Sequence, residues 1–290
     1  MTQTPPKRLP LTAYQAQSPD TSIEADLFLF QKWREFPLWK KAELTTGVTK
    51  GCYKLCLAGI RHQYPQATPA QKRWEYVRRR LGREWADLVD KLGVDGELMI
   101  GDPITLAIQV AEIFDRLEIP YLVGGSVASS LLGEPRATLD VDMVADLTRE
   151  KVPAFVTAVE SQFYVSEQAV IDAMLYQSSF NLIHFETTEK VDIFLLSDQL
   201  LSQSKMSRRQ RIPVTENADE FLYLPTPEDI ILQKLICYRL GMSQSDRQWR
   251  DVLGVLKIQG EKLDFEYLDQ WSETLKLTDM LAQALQEARL

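Results

Sequence analysis

The spacing of apolar and polar positions changes character twice along the chain. The stretch from about Thr21 to Leu92 reads as helical, and Leu38 to His62 runs without a proline until Tyr64-Pro65 supplies helix-breaking chemistry. Gly47 and Gly51 lie four apart, on one helix face, where a partner helix could approach closely. Thr68-Pro69-Ala70 reads as an N-cap with proline at the first helical position, opening a helix to Leu81. Gly93, Gly96 and Gly101, with Asp95 and Asp102 among them, predict a linker near 93–103.

From there short β-rich runs alternate with helices. Leu106, Val110, Ile113 and Leu117 form one helical stripe, and Tyr121 to Val123 is a short buried strand broken by Gly124-Gly125-Ser126. Val127 to Leu132 reads as a short helix that Gly133 terminates, and Ala137 to Ala145 as a strand with two-residue alternation. Residues 149–161 and 167–176 are expected helices, 180–185 and 190–196 a pair of strands, and 211–215 and 221–225 edge strands. After Pro225, Thr226-Pro227-Glu228-Asp229 combines a capping residue, a first-position proline and first-turn acids, and the rest is helical. The expected class is α/β (α+β): a small mixed sheet with flanking helices, preceded by a helical N-terminal domain and followed by a C-terminal helical region. The expected divisions are a flexible tail at 1–20, helices at 21–98, the core at 99–225 and helices at 226–290.

A chain of 290 residues with 45% hydrophobic and 26% charged positions can bury a real core, which excludes wholesale disorder. No apolar run approaches the roughly 18–20 residues of a membrane helix, so no membrane partner is expected. The N-terminus has no apolar core for a secretory signal. Three cysteines are too few and odd in number for a disulfide framework, which with the missing signal predicts a cytoplasmic location. A net charge of −8 argues against general nucleic-acid coating, yet seven Lys/Arg against one acid lie between Arg61 and Arg83, and a second basic knot spans Lys205 to Arg211. These runs read either as solvated faces or as phosphate-contacting patches.

The candidate chemistry begins at Gly124-Gly125-Ser126. Free amides at a helix N-terminus favour an anion, glycine lets a phosphate approach, and the Ser126 hydroxyl adds a donor. In a strand, Asp140 and Asp142 would share a face with Cα atoms about 6.6–7 Å apart, and their charges would repel by roughly 2 kcal/mol at an effective dielectric near 20. A divalent metal is the natural counter-charge, with Arg136 a further shield. Asp192 sits in an apolar run between Val191 and Ile193, where a charge without a partner is unusual. If its strand lies beside that of Asp140 and Asp142, the three carboxylates converge. Such a triad can hold two Mg²⁺ ions, with Asp192 placed to help deprotonate an attacking hydroxyl.

Gly124-Gly125-Ser126, Arg136-x-Thr138-x-Asp140-x-Asp142 and the later Asp192 resemble the signature of the DNA polymerase beta-like nucleotidyltransferase superfamily. The continuation from Thr226 to Lys234, with Asp246, Arg250 and Asp251, is similar to the AbiEii/AbiGii-type toxin nucleotidyltransferases. The resemblance covers about residues 104–255; where the toxin relatives carry a second acid on a late helix, Asp251 is followed by Val252, Leu253 and Gly254. It implies that Gly125 and Ser126 hold the triphosphate, that Asp140, Asp142 and Asp192 bind Mg²⁺, and that Lys234 contacts nucleotide phosphates. On that reading the protein moves an NMP from an NTP to a hydroxyl of RNA, tRNA among the options, or of protein. A cognate toxin or antitoxin is then an expected partner. The alternative is a catalytically silent module of the same fold that binds RNA or protein through the N-terminal helices.

Other signals weigh less. Cys52 and Cys56 with His62 lack a fourth zinc ligand and read as small core residues, His184 as structural, and Trp74, Tyr76 and Trp85 as helix core rather than a base-stacking platform.

Overall fold

The computed structural model describes residues 14–93, 98–242 and 245–290; most of the expected tail, and Asp95 and Gly96 of the expected linker, lie outside the described residues. Four helices lead: α1 (Ile23–Glu35), α2 (Leu38–Gln63), α3 (Pro69–Leu81) and α4 (Arg83–Lys91). The alternating region holds α5 (Pro103–Arg116), β1 (Tyr121–Val123), α6 (Gly125–Leu132), β2 (Val141–Ala145), α7 (Val152–Val159), β3 (Phe163–Tyr164) and α8 (Glu167–Tyr176). It continues through β4 (Ser179–His184), β5 (Lys190–Leu195), α9 (Leu200–Arg208), β6 (Gln210–Pro213) and β7 (Phe221–Leu224). Four more helices follow: α10 (Pro227–Leu240), α11 (Asp246–Gln259), α12 (Phe265–Leu275) and α13 (Thr278–Ala288).

The helix starts have local causes. Thr68 caps α3 by accepting from the Gln71 amide while the Gln71 side chain accepts from the Thr68 amide, and Pro69 follows. Thr226 caps α10 through the Asp229 amide, and Asp102 caps α5 through the Ile104 amide, each ahead of a first-position proline. A cap of this kind stabilises a helix by about 1 kcal/mol.

The expected small mixed sheet is present. Its strand order is β1-β2-β5-β4-β3, with β2 and β5 parallel and every other neighbour antiparallel. One face carries Val141, Met143, Val191, Ile193, Phe180 and Leu182, all buried; Phe155 stacks on Phe114 of α5 at 5.5 Å and meets Phe180 edge-on at 5.8 Å. The opposite face carries Asp142, Asp192, Asn181, Lys190 and Ile183, because side chains alternate along each strand. Ile183 there joins Leu57, Ile60, Tyr76, Val77, Ala86 and Val89 in one apolar cluster, which brings α2, α3 and α4 onto that side.

Two strand expectations are corrected. The strand expected over 137–145 is shorter, because the Thr138 amide donates to the Thr49 hydroxyl of α2 and the Thr138 hydroxyl to the Asp140 carbonyl; Asp140 therefore precedes β2. β6 and β7 pair with each other as a separate two-stranded sheet rather than edging the main one, and Tyr223 meets Tyr121 ring-to-edge at 5.4 Å.

The chain forms two compact units. One joins residues 38–128 and 135–225, and holds both sheets. The other joins residues 14–37 with Ser129–Glu134 and Thr226–Leu290, so α6 begins in one unit and ends in the other. These units differ from the consecutive stretches read from the sequence. Helices α2 to α4 go with the sheet they cover, while α1 goes with α11: Lys257, 1% exposed, stands 3.0 Å from Asp26, which also accepts from the Tyr14 hydroxyl at 2.5 Å.

Candidate functional site

β1 delivers the chain to Gly124, whose amide donates to the Asp142 carbonyl at 2.8 Å and so ties the turn to β2. Gly125 opens α6 with a φ of +54°, a conformation that favours glycine. A Cβ at Gly125 would fall on the Asp142 carboxyl group, so the glycine turn and this acid are in direct apposition. The amides of the first turn of α6 have no carbonyl four residues back within the helix. The Ser126 hydroxyl accepts from the Arg136 guanidinium at 3.0 Å, and Arg136 also donates to the Ala137 carbonyl. Gly124, Gly125, Ser126, Arg136 and Asp142 are thus brought together.

Asp142 and Asp192 are register partners on the parallel strands β2 and β5. Neighbouring strands lie about 4.8 Å apart, so two ionised carboxylates at that spacing repel by roughly 3 kcal/mol at an effective dielectric near 20. Asp192 is held on both oxygens: Lys190 Nζ stands 2.7 Å from Oδ2, and the Asn181 amide donates to Oδ1. Lys190 also lies over the Trp85 ring, 5.9 Å from its centroid. Neither Lys190 nor Asn181 was assigned from sequence. Lys190 was legible, two residues before Asp192 on one strand and therefore on its face; Asn181 becomes visible only once the β4–β5 register is known.

Asp140, half-buried ahead of β2, lies near Tyr53 of α2. Burial pushes the Tyr53 hydroxyl up, Arg80 opposes this, and the charges of Glu189 and Asp140 add to it. Among the described residues no group of three or more His, Cys, Asp or Glu side chains is placed to hold a metal ion. The adjacent pair nevertheless suits Mg²⁺ by donor chemistry: hard carboxylate oxygens, one of them on an Asp142 carboxyl seated where a Gly125 Cβ would stand. Mg²⁺ commonly takes one or two carboxylates and completes its shell with water and substrate phosphates.

Lys234 belongs to the unit of α10 and α11, is 5% exposed, and pairs with Asp251 at 2.7 Å; Asp251 also accepts from the Ser129 hydroxyl. In the basic run of α3, Arg73 and the Arg80 side chain are each 6% exposed, whereas Arg78 and Arg79 are exposed and pair with Glu75. Arg78 and then Arg79 hold the Glu75 carboxyl well below the usual carboxylate range, and Arg80 lies 4.1 Å over the Tyr53 ring. Tyr76 is fully buried, in keeping with a core role, and Trp74 donates to Asp87 at 2.9 Å. Buried His184 stands 3.0 Å from the Thr187 hydroxyl, and burial lowers its pKa. Cys52 corrects the core reading of the cysteines: its thiol is on an exposed face of α2, and Cys56 is only half-buried. Among the described residues no helix is long and apolar enough to cross a membrane.

No family model matches the chain, and neither does any curated protein. Among solved structures, it is similar to an antigenic nucleotidyltransferase-like protein from Paracoccidioides brasiliensis, with 18% identity and a TM-score of 0.40 over 64% of this chain and 93% of that one. It is also similar to the antibiotic-resistance factor ANT(2'')-Ia, with 13% identity and a TM-score of 0.37 over 62% of this chain and 94% of the other.

Proposed function

We propose that the chain is a Mg²⁺-dependent nucleotidyltransferase that transfers an NMP from an NTP to a hydroxyl group. The observation that carries this reading is the register pairing of Asp142 with Asp192, with Gly125 closed against the Asp142 carboxyl. The Gly124-Gly125 turn backs the triphosphate, Gly124 adding no bulk and Gly125 giving its Cβ space to the Asp142 carboxyl, and the first-turn amides of α6 and the Ser126 hydroxyl donate to it. Arg136 orients Ser126 and adds positive charge beside the phosphates. Asp142 and Asp192 would supply the carboxylate oxygens for the metal, with Asp140 ahead of β2 outside that pair; when bound, the ion would neutralise charge on the α-phosphate and on the departing pyrophosphate. Asp192 accepts the proton of the attacking hydroxyl as its oxygen bonds to the α-phosphorus and the bond to the β-phosphate oxygen breaks. The acceptor is an RNA or protein hydroxyl, and the sequence resemblance favours a place in a toxin–antitoxin or phage-defence pair.

Isothermal titration of each NTP with Mg²⁺ tests the reading. Wild type is expected to bind at least one NTP only when Mg²⁺ is present, and Asp142→Asn to weaken that binding by about tenfold or more, about 1.4 kcal/mol. Absence of binding to every NTP overturns it. Incubation of labelled NTPs with total RNA and co-purifying protein then identifies the acceptor.

One observation favours a second reading, a silent binding module: both oxygens of Asp192 already have partners. In that case Asp140→Asn and Asp142→Asn would be neutral or stabilising by thermal denaturation, and added Mg²⁺ would change nothing. In the enzymatic case Mg²⁺ with NTP stabilises wild type and not the variants.

A further inference from the structure

We propose that Lys190 is a built-in counter-cation of the acid pair: it occupies Asp192 in the resting protein and must yield to a divalent ion, so that free metal binds weakly and metal accompanied by nucleotide binds well. This inference rests on the nucleotidyltransferase reading and adds to it an order of binding and a residue that controls it.

The geometry carries it. Lys190 and Asp192 project from the same face of β5, and Lys190 Nζ lies 2.7 Å from Asp192 Oδ2. Their side chains are 19% and 14% exposed, so solvent screens the pair much less than it would a surface ion pair. Asn181, across the ladder on β4, fixes the other oxygen, and the Trp85 ring flanks the ammonium. Asp142 is the register partner of Asp192, so the ammonium on Asp192 also offsets part of the repulsion between the two acids.

A divalent ion arriving alone has to detach the ammonium from Asp192, and the displaced ammonium is left near a second positive charge. A triphosphate arriving with the ion changes this balance, because its oxygens give the displaced ammonium a new anionic partner. Lys190 thereby couples metal binding to nucleotide binding, and the coupling is reciprocal. Lys190 is a positioning residue here; it takes no part in bond making or breaking.

Titration with Mn²⁺, followed by electron paramagnetic resonance, tests this on the full chain with and without a non-hydrolysable NTP analogue. Lys190→Met is expected to bind Mn²⁺ alone about tenfold more tightly than wild type, while losing most of the enhancement the nucleotide confers. Lys190→Arg should restore the wild-type pattern. Equal Mn²⁺ affinity in wild type and Lys190→Met, or tighter binding with the nucleotide enhancement intact, overturns the proposal. If circular dichroism shows that Lys190→Met does not fold, Lys190→Gln replaces it; failure of both to fold means a purely structural ion pair and also overturns it. Tightened Mn²⁺ binding in Lys190→Met, with no NTP binding by any variant, overturns both the nucleotide coupling and the enzymatic reading. Intact NTP binding by wild type with unchanged Mn²⁺ affinity removes the Lys190 proposal alone.

Discussion

At the scale of single residues, Gly125 and Lys234 make the sharpest claims. Gly125→Ala forces a left-handed backbone on a residue that resists it and pushes a methyl group into the Asp142 carboxyl. Urea denaturation is expected to show a loss of about 2 kcal/mol, shrinking by about 1 kcal/mol in an Asp142→Ala background, where the collision partner is gone. Lys234→Met would leave Asp251 buried without its cation and should cost about 3–5 kcal/mol, largely recovered in Lys234→Met/Asp251→Leu. A result near zero for the single substitution would contradict a structural role for this pair. The Gly-Gly-Ser break between β1 and α6 was legible because it is a local pattern, whereas the placing of Asp140 ahead of β2 was not. Nor was Lys234, since periodicity places a lysine on a helix face without revealing that an acid on another helix, Asp251, waits opposite it.

Among elements, the residue just before β5 is the most informative titratable group. Glu189 is 2% exposed, lies against Gly101 where a Cβ would collide with it, and stands 3.8 Å from Arg80. Burial pushes its carboxyl up to about 7, with Arg80 pulling the other way. Because the folded pKa exceeds the unfolded value near 4.5, the folded state holds the proton more strongly. The contribution is fully present below pH 4.5 and is lost as pH rises through 7, a change of about 3 kcal/mol. Urea melts at pH 5 and pH 8 should therefore show Glu189→Gln gaining on wild type at the higher pH; a constant difference would refute the assignment. The β4–β5 hairpin was readable from alternation alone. The length of β2 was not, because a hydroxyl from a distant helix, Thr49, takes the amide of Thr138 out of the strand ladder.

For the whole molecule, the sequence suggested consecutive domains, whereas the compact units are discontinuous. Composition shifts mark where the chain changes period, but not which helix buries which face. Apolar Phe30 of α1 is 1% exposed, and Arg34 donates to the Lys257 carbonyl, so α1 depends on residues from the far end of the chain. A protein truncated after Pro225 should accordingly expose α1, bind the dye ANS and lose cooperative unfolding of that segment. Retention of native-like protection in α1 by hydrogen exchange would rule this out.

The alignment of β2 with β5 also sets how this protein can vary. Side chains alternate, so a one-residue insertion or deletion inside β5 would replace Asp192 by Val191 or Ile193 opposite Asp142, substituting hydrocarbon for charge in a single step. Extra length in the surface turns between residues 146 and 178 costs little closure entropy and leaves that opposition untouched. Descendants of this chain should therefore differ freely in loop size, while the two short parallel strands keep a fixed length.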